Sequence, residues 1–80
     1  MHRETYRMAI QIVMDRSGDS RFRFNPANAA AVADAERRFR QLVARGYTAT
    51  ARTAPGQMEM IRSFDPRVEE CIFVPRLVGG

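Results

Sequence analysis

The 80-residue chain has no lysine and no tryptophan, and it has a single cysteine and a single histidine. One cysteine, Cys71, excludes an internal disulfide framework and any multi-cysteine metal site. It sits in an apolar run with no histidine beside it, which reads as a buried thiol and not as a nucleophile. His2 stands alone near the start of the sequence and is read as incidental. Among the acidic residues, Glu69 with Glu70 and Asp15 with Asp19 read as surface charges. No glycine-rich phosphate loop, no metal-ligand spacing and no Ser/His/Asp set is visible. An enzyme is therefore not expected, nor a bound cofactor or metal. No apolar run approaches the roughly 20 residues needed to cross a bilayer. The start "MHRETYRMAI" lacks the apolar core and small-residue cleavage site of a signal peptide. The expectation is a cytoplasmic protein without a membrane partner.

The absence of lysine makes the basic balance unusual. All thirteen basic residues are arginine, and the net charge is +4. Such a composition suits a GC-rich, bacterial genome. It also leaves the N-terminus as the sole primary amine. A basic chain raises the question of nucleic acid. The arginines are scattered, however. Arg21 and Arg23 alternate with Phe22 and Phe24, and Arg37, Arg38 and Arg40 lie beside Asp34 and Glu36. No run of five or six like charges appears. Solvated surface is the better reading, and a nucleic-acid partner is not expected.

What is present is one small domain. In "TYRMAIQIVM", 5 to 14, Tyr6, Met8, Ile10, Ile12 and Met14 recur at every second position, which predicts a strand burying that face. "DRSGDS", 15 to 20, has turn chemistry. "RFRF", 21 to 24, alternates again, with Phe22 and Phe24 inward, so a hairpin is expected. Asn25 is a good N-cap and Pro26 suits the first helical position. Val32, Ala35, Phe39, Leu42 and Val43 form an apolar stripe. Asp34 and Glu36 lie toward its start and the arginines toward its end, as the helix dipole favours. Gly46 suits the left-handed position that closes a helix. A helix over about 26–45 follows. "YTATART" (47–53) and "MEMIRSF" (58–64) read as strands around the turn "APGQ". In the second, Met58, Met60 and Arg62 share one face, and Glu59, Ile61 and Ser63 the other. Asp65 and Pro66 suggest one helical turn. "CIFVP" (71–75) is a short apolar strand ended by proline.

One amphipathic helix buries its stripe against one face of a mixed sheet, which gives a two-layer α+β domain over 1–75 and a tail over 76–80. A hairpin, a long helix, two strands, a short helical turn and a last strand make the β-grasp arrangement. The unbroken "CIFV" suits a central strand buried on both faces and running beside the first.

The element order and the ending "PRLVGG" together resemble the ubiquitin-like proteins. The ending resembles the Pro-Pro-Val-Ala-Gly-Gly type of tail of the molybdopterin-synthase small subunit, with Pro75 kept and Arg76 in place of the second proline. It also resembles the Leu-Arg-Leu-Arg-Gly-Gly tail of ubiquitin. No close whole-sequence match to a named member is apparent. The resemblance implies that Gly79 and Gly80 carry the reaction, with Arg76, Leu77 and Val78 as a recognition stem. An activating enzyme would use ATP to adenylate the Gly80 carboxylate. Only glycine leaves the backbone slim enough to thread that enzyme's channel. The acyl group would pass to an enzyme cysteine, and then to an amine of a target protein or to sulfur. The first route makes the chain a protein modifier with conjugating enzyme and deconjugating protease as partners. The second makes it a sulfur carrier ending in a thiocarboxylate. The resemblance also implies an apolar sheet patch away from the helix, for which Ala9, Val13 and Ala49 are the candidates. The methionines read as core filler unless one stands exposed beside Ile61. Two readings outside this chemistry stay open: a non-covalent β-grasp adaptor from a phage or mobile element, and a small basic nucleic-acid binder.

Overall fold

The computed structural model describes residues 8–76. Met1 to Arg7 and Leu77 to Gly80 lie outside the described residues. The elements are β1 (Ala9–Asp15), β2 (Gly18–Phe24), α1 (Ala29–Ala44), β3 (Tyr47–Ala54), β4 (Gln57–Ile61) and β5 (Glu70–Pro75). The five strands form one mixed sheet in the order β2-β1-β5-β3-β4. The helix covers one face. This α+β arrangement is compatible with a β-grasp.

The hairpin β1–β2 turns through Arg16 and Ser17 and pairs Asp15 with Gly18. Asp15 organises it: its Oδ1 accepts the Ser17 backbone N–H at 2.8 Å and the Ser17 hydroxyl at 2.7 Å. Gly18 has φ +128° there, in the region that favours glycine. A two-residue turn fixes the register, so Phe24 lies opposite Ala9 and Phe22 opposite Gln11.

The helix starts later than the expected residue 26. Asn28, with extended backbone, is the N-cap, and its side chain accepts from Ala31 N–H at 3.0 Å. Asn25 instead organises the turn before it, accepting Ala27 N–H at 2.9 Å. Of two asparagines that could cap, the later one has three alanines after it and no proline. The terminal turns carry no complementary charge, acidic first or basic last. The charged residues sit mid-helix and pair along it, Arg37 with Asp34 at 2.7 Å and Arg40 with Glu36 at 2.8 Å. Exposed pairs of this kind contribute only tenths of a kcal/mol, ~0.3–0.5 each. Arg45 caps the C-terminus, and Gly46 follows at φ +97° with its N–H bonded to Val43 O.

β5 lies between β1, to which it is parallel, and β3, to which it is antiparallel. Its helix-facing residues Cys71 and Phe73 are buried. The other face is not covered: Ile72 is half-buried and Val74 is exposed. The segment before β5 is not helical. Asp65 O accepts Val68 N–H at 3.1 Å and Asp65 Oδ1 accepts Arg67 N–H at 2.9 Å. This is a side-chain-capped turn, because the chain must straighten by Glu70 to pair with β1 and β3.

The core lies between sheet and helix. Phe39 is its hub, packed edge-on against Phe73 at 5.5 Å and against Phe64 at 6.0 Å between ring centres. Ala35 and Leu42 flank it from the helix, and Val13, Ala49 and Cys71 meet it from the sheet. One polar side chain is buried among them. Gln11 donates its Nε2 to Ala35 O at 3.0 Å and accepts Arg38 Nη1 on Oε1 at 2.7 Å. The Arg38 guanidinium lies 4.1 Å above the Phe22 ring. Sheet and helix are thus joined by a satisfied polar bridge roofed by a cation–π contact.

Replacing Gln11 with leucine keeps the volume but orphans Arg38. A stability loss of about 1–3 kcal/mol is expected. In urea unfolding, Gln11→Leu and Arg38→Ala together should cost less than the sum of the two alone. Strict additivity would show that the bridge has no energetic role.

Candidate functional site

Sidedness decides where a partner can reach this molecule. Ala9, Val13 and Ala49, expected on the outward face, are buried at 2%, 9% and 2% exposure and pack under the helix. That expectation is overturned. The strand-pair registers put Ile10, Ile12, Met14, Ile72, Val74, Thr48, Thr50, Met58 and Met60 on the face away from the helix. The methionines are not core filler: Met8, Met14, Met58 and Met60 are all exposed, Met60 at 64%. Met60 stands beside Ile61, as the alternative for an exposed methionine required. The missed signal is the parity of the hairpin turn. With two turn residues, Phe24 and the even-numbered residues of β1 cannot share a face.

One row of this open face runs straight across the sheet. Arg21, Ile12, Ile72, Thr50 and Met60 lie side by side through successive pairings. The row is apolar over its β1 and β5 positions, where Ile12 is buried by its neighbours and Ile72 half-buried, and it ends in a charge at β2 and in an exposed thioether at β4.

The second feature is the pole where β5 leaves the sheet. Arg76 N–H donates to Gly46 O at 3.2 Å, so the last described residue is still tied to the end of the helix. The Arg76 side chain shares an open cleft with Val43, Tyr47, Met60 and Arg62. Arg45 lines the adjoining cleft on the far side of Tyr47. Arg16, in the β1–β2 turn, is at the same end, because β1 and β5 are parallel. Among the described residues, Arg16, Arg45, Arg62 and Arg76 form no ion pairs. The carboxylate of Asp15 is also at this end. Its bonds from the Ser17 hydroxyl and then the Ser17 N–H hold it below the usual carboxylate range. The pole is thus arginine-rich around an aromatic ring. The opposite pole has a larger open cleft lined by Ile10, Arg52, Arg67 and Glu70. Its arginines are already matched, Arg52 to Glu70 and Arg67 to Asp65, each at 3.1 Å.

Of the expected site residues, Arg76 is therefore placed at an exposed, basic pole. Leu77, Val78, Gly79 and Gly80 lie outside the described residues. No group of three or more His, Cys, Asp or Glu side chains suited to a metal is found among the described residues. No described helix is long and apolar enough to cross a membrane. Comparison with protein-family models, with curated proteins and with solved structures finds no match for the chain.

Cys71 is a buried free thiol, pushed up to about 12 by burial, with a backbone hydrogen bond at Thr50 opposing the shift. The folded chain then keeps a proton that the unfolded chain, with a cysteine near 8.5, gives up. That contribution is fully present below the unfolded value and is lost as pH rises toward 12. Wild-type stability should fall between about pH 9 and 12 by up to ~1.4 kcal/mol per unit more than that of Cys71→Ala. Matching pH slopes for the two chains would refute the buried-thiol assignment. At pH 8, alkylation of the native chain should proceed only as fast as it unfolds.

Proposed function

We propose that this chain is a ubiquitin-like β-grasp protein acting through the carboxylate that Gly80 bears when it is the last residue. The observation that carries the reading is the placement of β5. The strand that leads into "RLVGG" is central in the sheet, and it exits at a pole of unpaired arginines. A reactive end grown from a central strand is held on both sides as far as Phe73, and by β3 alone up to Pro75. The partner then meets a fixed base and a slim tail, and the ordering cost of docking is confined to the last few residues. The arginine pole supports recognition by an activating enzyme with an acidic surface around its channel, since complementary charge raises the rate of encounter. Arg76, Arg62 and Arg45 would guide that encounter, with Leu77 and Val78 as the stem and Gly79 and Gly80 in the channel. ATP belongs to the partner enzyme: the Gly80 carboxylate displaces pyrophosphate, and an enzyme thiolate then displaces AMP. We assign conjugation to target proteins as the outcome, with conjugating enzyme and deconjugating protease as further partners. Without lysine, copies of the chain could be joined only at the N-terminal amine.

A second reading is favoured by the uncovered apolar face. A non-covalent adaptor would use Ile72, Val74 and Met60 alone and would leave the tail idle.

The test is the chemical state of the C-terminus. The chain, tagged at its N-terminus, is purified from its host under denaturing conditions without thiols, and intact masses are recorded. A ladder of larger species that vanishes when Gly79 and Gly80 are removed is the expected result. One oxygen replaced by sulfur would make it a sulfur carrier. A free carboxylate throughout would leave the adaptor. Arg62→Glu with Arg76→Glu should slow the ladder at least tenfold at low salt, with a smaller effect at 0.5 M salt, where screening shortens the reach of charge.

A further inference from the structure

The two edges of the sheet are built differently. The β2 edge presents Asp19, Arg21 and Arg23 on the open face, with Arg21 bonded to Asp19 at 3.2 Å. Charges of this kind discourage further strand pairing. The β4 edge is Gln57–Ile61, with Met58 and Met60 exposed at 45% and 64%. It has no proline and no basic residue inside the strand. The register shift in this hairpin lies on β3, between Arg52 and Ala54, and leaves β4 itself regular. The apolar row Ile12, Ile72, Thr50, Met60 therefore runs out to an edge whose one charge, Glu59, lies on the other face, opposite Ala51. We propose that β4 pairs antiparallel with β4 of a second copy of this chain, about a twofold axis through Met60.

The register follows from sidedness. In an antiparallel pair, opposed residues lie on the same face, so a twofold axis between two β4 strands must pass through a residue. An axis through Glu59 sets two like charges against each other, which is destabilising. An axis through Met58 runs the pairing into the turn at Gly56. An axis through Met60 sets Met60 against Met60, Glu59 against Ile61 and Met58 against Arg62, with no like charges opposed. The interface is isologous and closes, as a twofold contact must. It joins the two sheets into one of ten strands and continues the Ile12–Ile72–Thr50–Met60 row into its mirror order in the partner. Because the two β4 strands are antiparallel, the arginine poles point to opposite ends, and the seam takes in Met60 and Arg62 at the rim of the cleft beside Arg76. The pairing is independent of any reactivity at Gly80.

The ladder is short, so the dimer is weak and concentration-dependent. Each copy carries +4, so added salt relieves repulsion between copies and strengthens pairing. An acidic or nucleic-acid partner would respond to salt in the opposite direction. Sedimentation equilibrium of the full chain, from 10 µM to 1 mM protein, should show mass rising from 9.1 kDa toward its double, more so at 0.5 M salt. Met60→Arg should weaken association at least tenfold while leaving the circular-dichroism melt unchanged, because the side chain is exposed. Under mild oxidation Met60→Cys should form a disulfide-linked dimer at least tenfold faster than Met14→Cys, which sits on the same face but far from the β4 edge. Cys71 is buried and does not compete. A wild-type chain that stays at 9.1 kDa to 1 mM overturns the proposal. So does association insensitive to Met60→Arg, or cross-linking at residue 60 no faster than at residue 14.

Discussion

Gln11 decides which side of this sheet is the inside. Its carboxamide is fully engaged between Ala35 O and the Arg38 guanidinium, and it is the buried polar side chain of the described core. With Gln11 under the helix, Ala9 and Val13 must follow, and Ile10, Ile12 and Met14 must face out. Transfer energy alone argues the other way. Burying the exposed Met14 would gain roughly 1.5–3 kcal/mol, and completing the burial of half-buried Ile10 somewhat less, while Ile12 is buried by its neighbours already. That face, however, has no partner for a carboxamide. Turning it inward would also turn Phe24, Cys71 and Phe73 outward, because the pairings tie all three strands to one parity. The aromatic hub around Phe39 outweighs one strand's preference.

The same constraint shapes the outer surface. Small residues, Ala9, Ala49 and Ala51, line the sheet under the helix and leave room for Phe39, Phe64 and Phe73. The bulk of β1 and β4 is displaced to the far side. An 80-residue domain buries little surface, and its stability is correspondingly small. Leaving Met14, Met58, Met60 and Val74 in water forgoes stability that such a domain could use. Retaining them outside fits a surface with an occupant, whether the tail is reactive or idle. The charges are sorted as well. Arg52, Arg67, Glu70 and Asp65 neutralise one another at one pole, while Arg16, Arg45, Arg62 and Arg76 stand without ion pairs among the described residues at the other. A net charge of +4 distributed in this way has a direction.

Much of the fold was legible in the sequence, and its sidedness was legible only in part. Alternation marked β1 and β2, Gly46 marked the helix end, and the apolar run at Cys71 to Val74 marked a central strand. The inward face of β1 was misread because both of its faces are apolar, so period two alone could not choose. The turn could. "DRSG" closes with Asp15 opposite Gly18, and that odd register sum sets Phe24 against Ala9. The expectations that Ile12 and Phe24 both point inward contradict each other once two turn residues are counted. The helix start was placed early because Asn25-Pro26 carries cap chemistry, and local chemistry does not tell which of two asparagines the tertiary contacts select. The helical turn at Asp65 failed for a related reason. Its Asx bond forms as expected, but β5 pairing claims the chain before a helix can propagate. Within the candidate site, Arg76 was readable from the tail, whereas Arg16, Arg45 and Arg62 come from three different connections. Only the strand pairings bring them to one end, the pairs of β3 with β5 and β4 placing Arg45 and Arg62 and the parallel β1–β5 pair placing Arg16.

That pairing also links the two surfaces. β5 hydrogen-bonds on one side to the strand carrying Ile12 and on the other to the strand that carries β4. Ile72, midway along it, is the centre of the open apolar row, and Arg76 is its continuation at the basic pole. A body bound on the open face therefore bears on the strand that holds the tail, four residues from its exit. Strand pairing at β4 and docking at the pole meet at Met60 and Arg62, which line the cleft beside Arg76, so the two surfaces adjoin. Strand order still keeps the tail off the pairing edge: the edge free to pair is one strand beyond β3, while the tail leaves from the centre. A tail grown from an edge strand would have placed both demands on one margin.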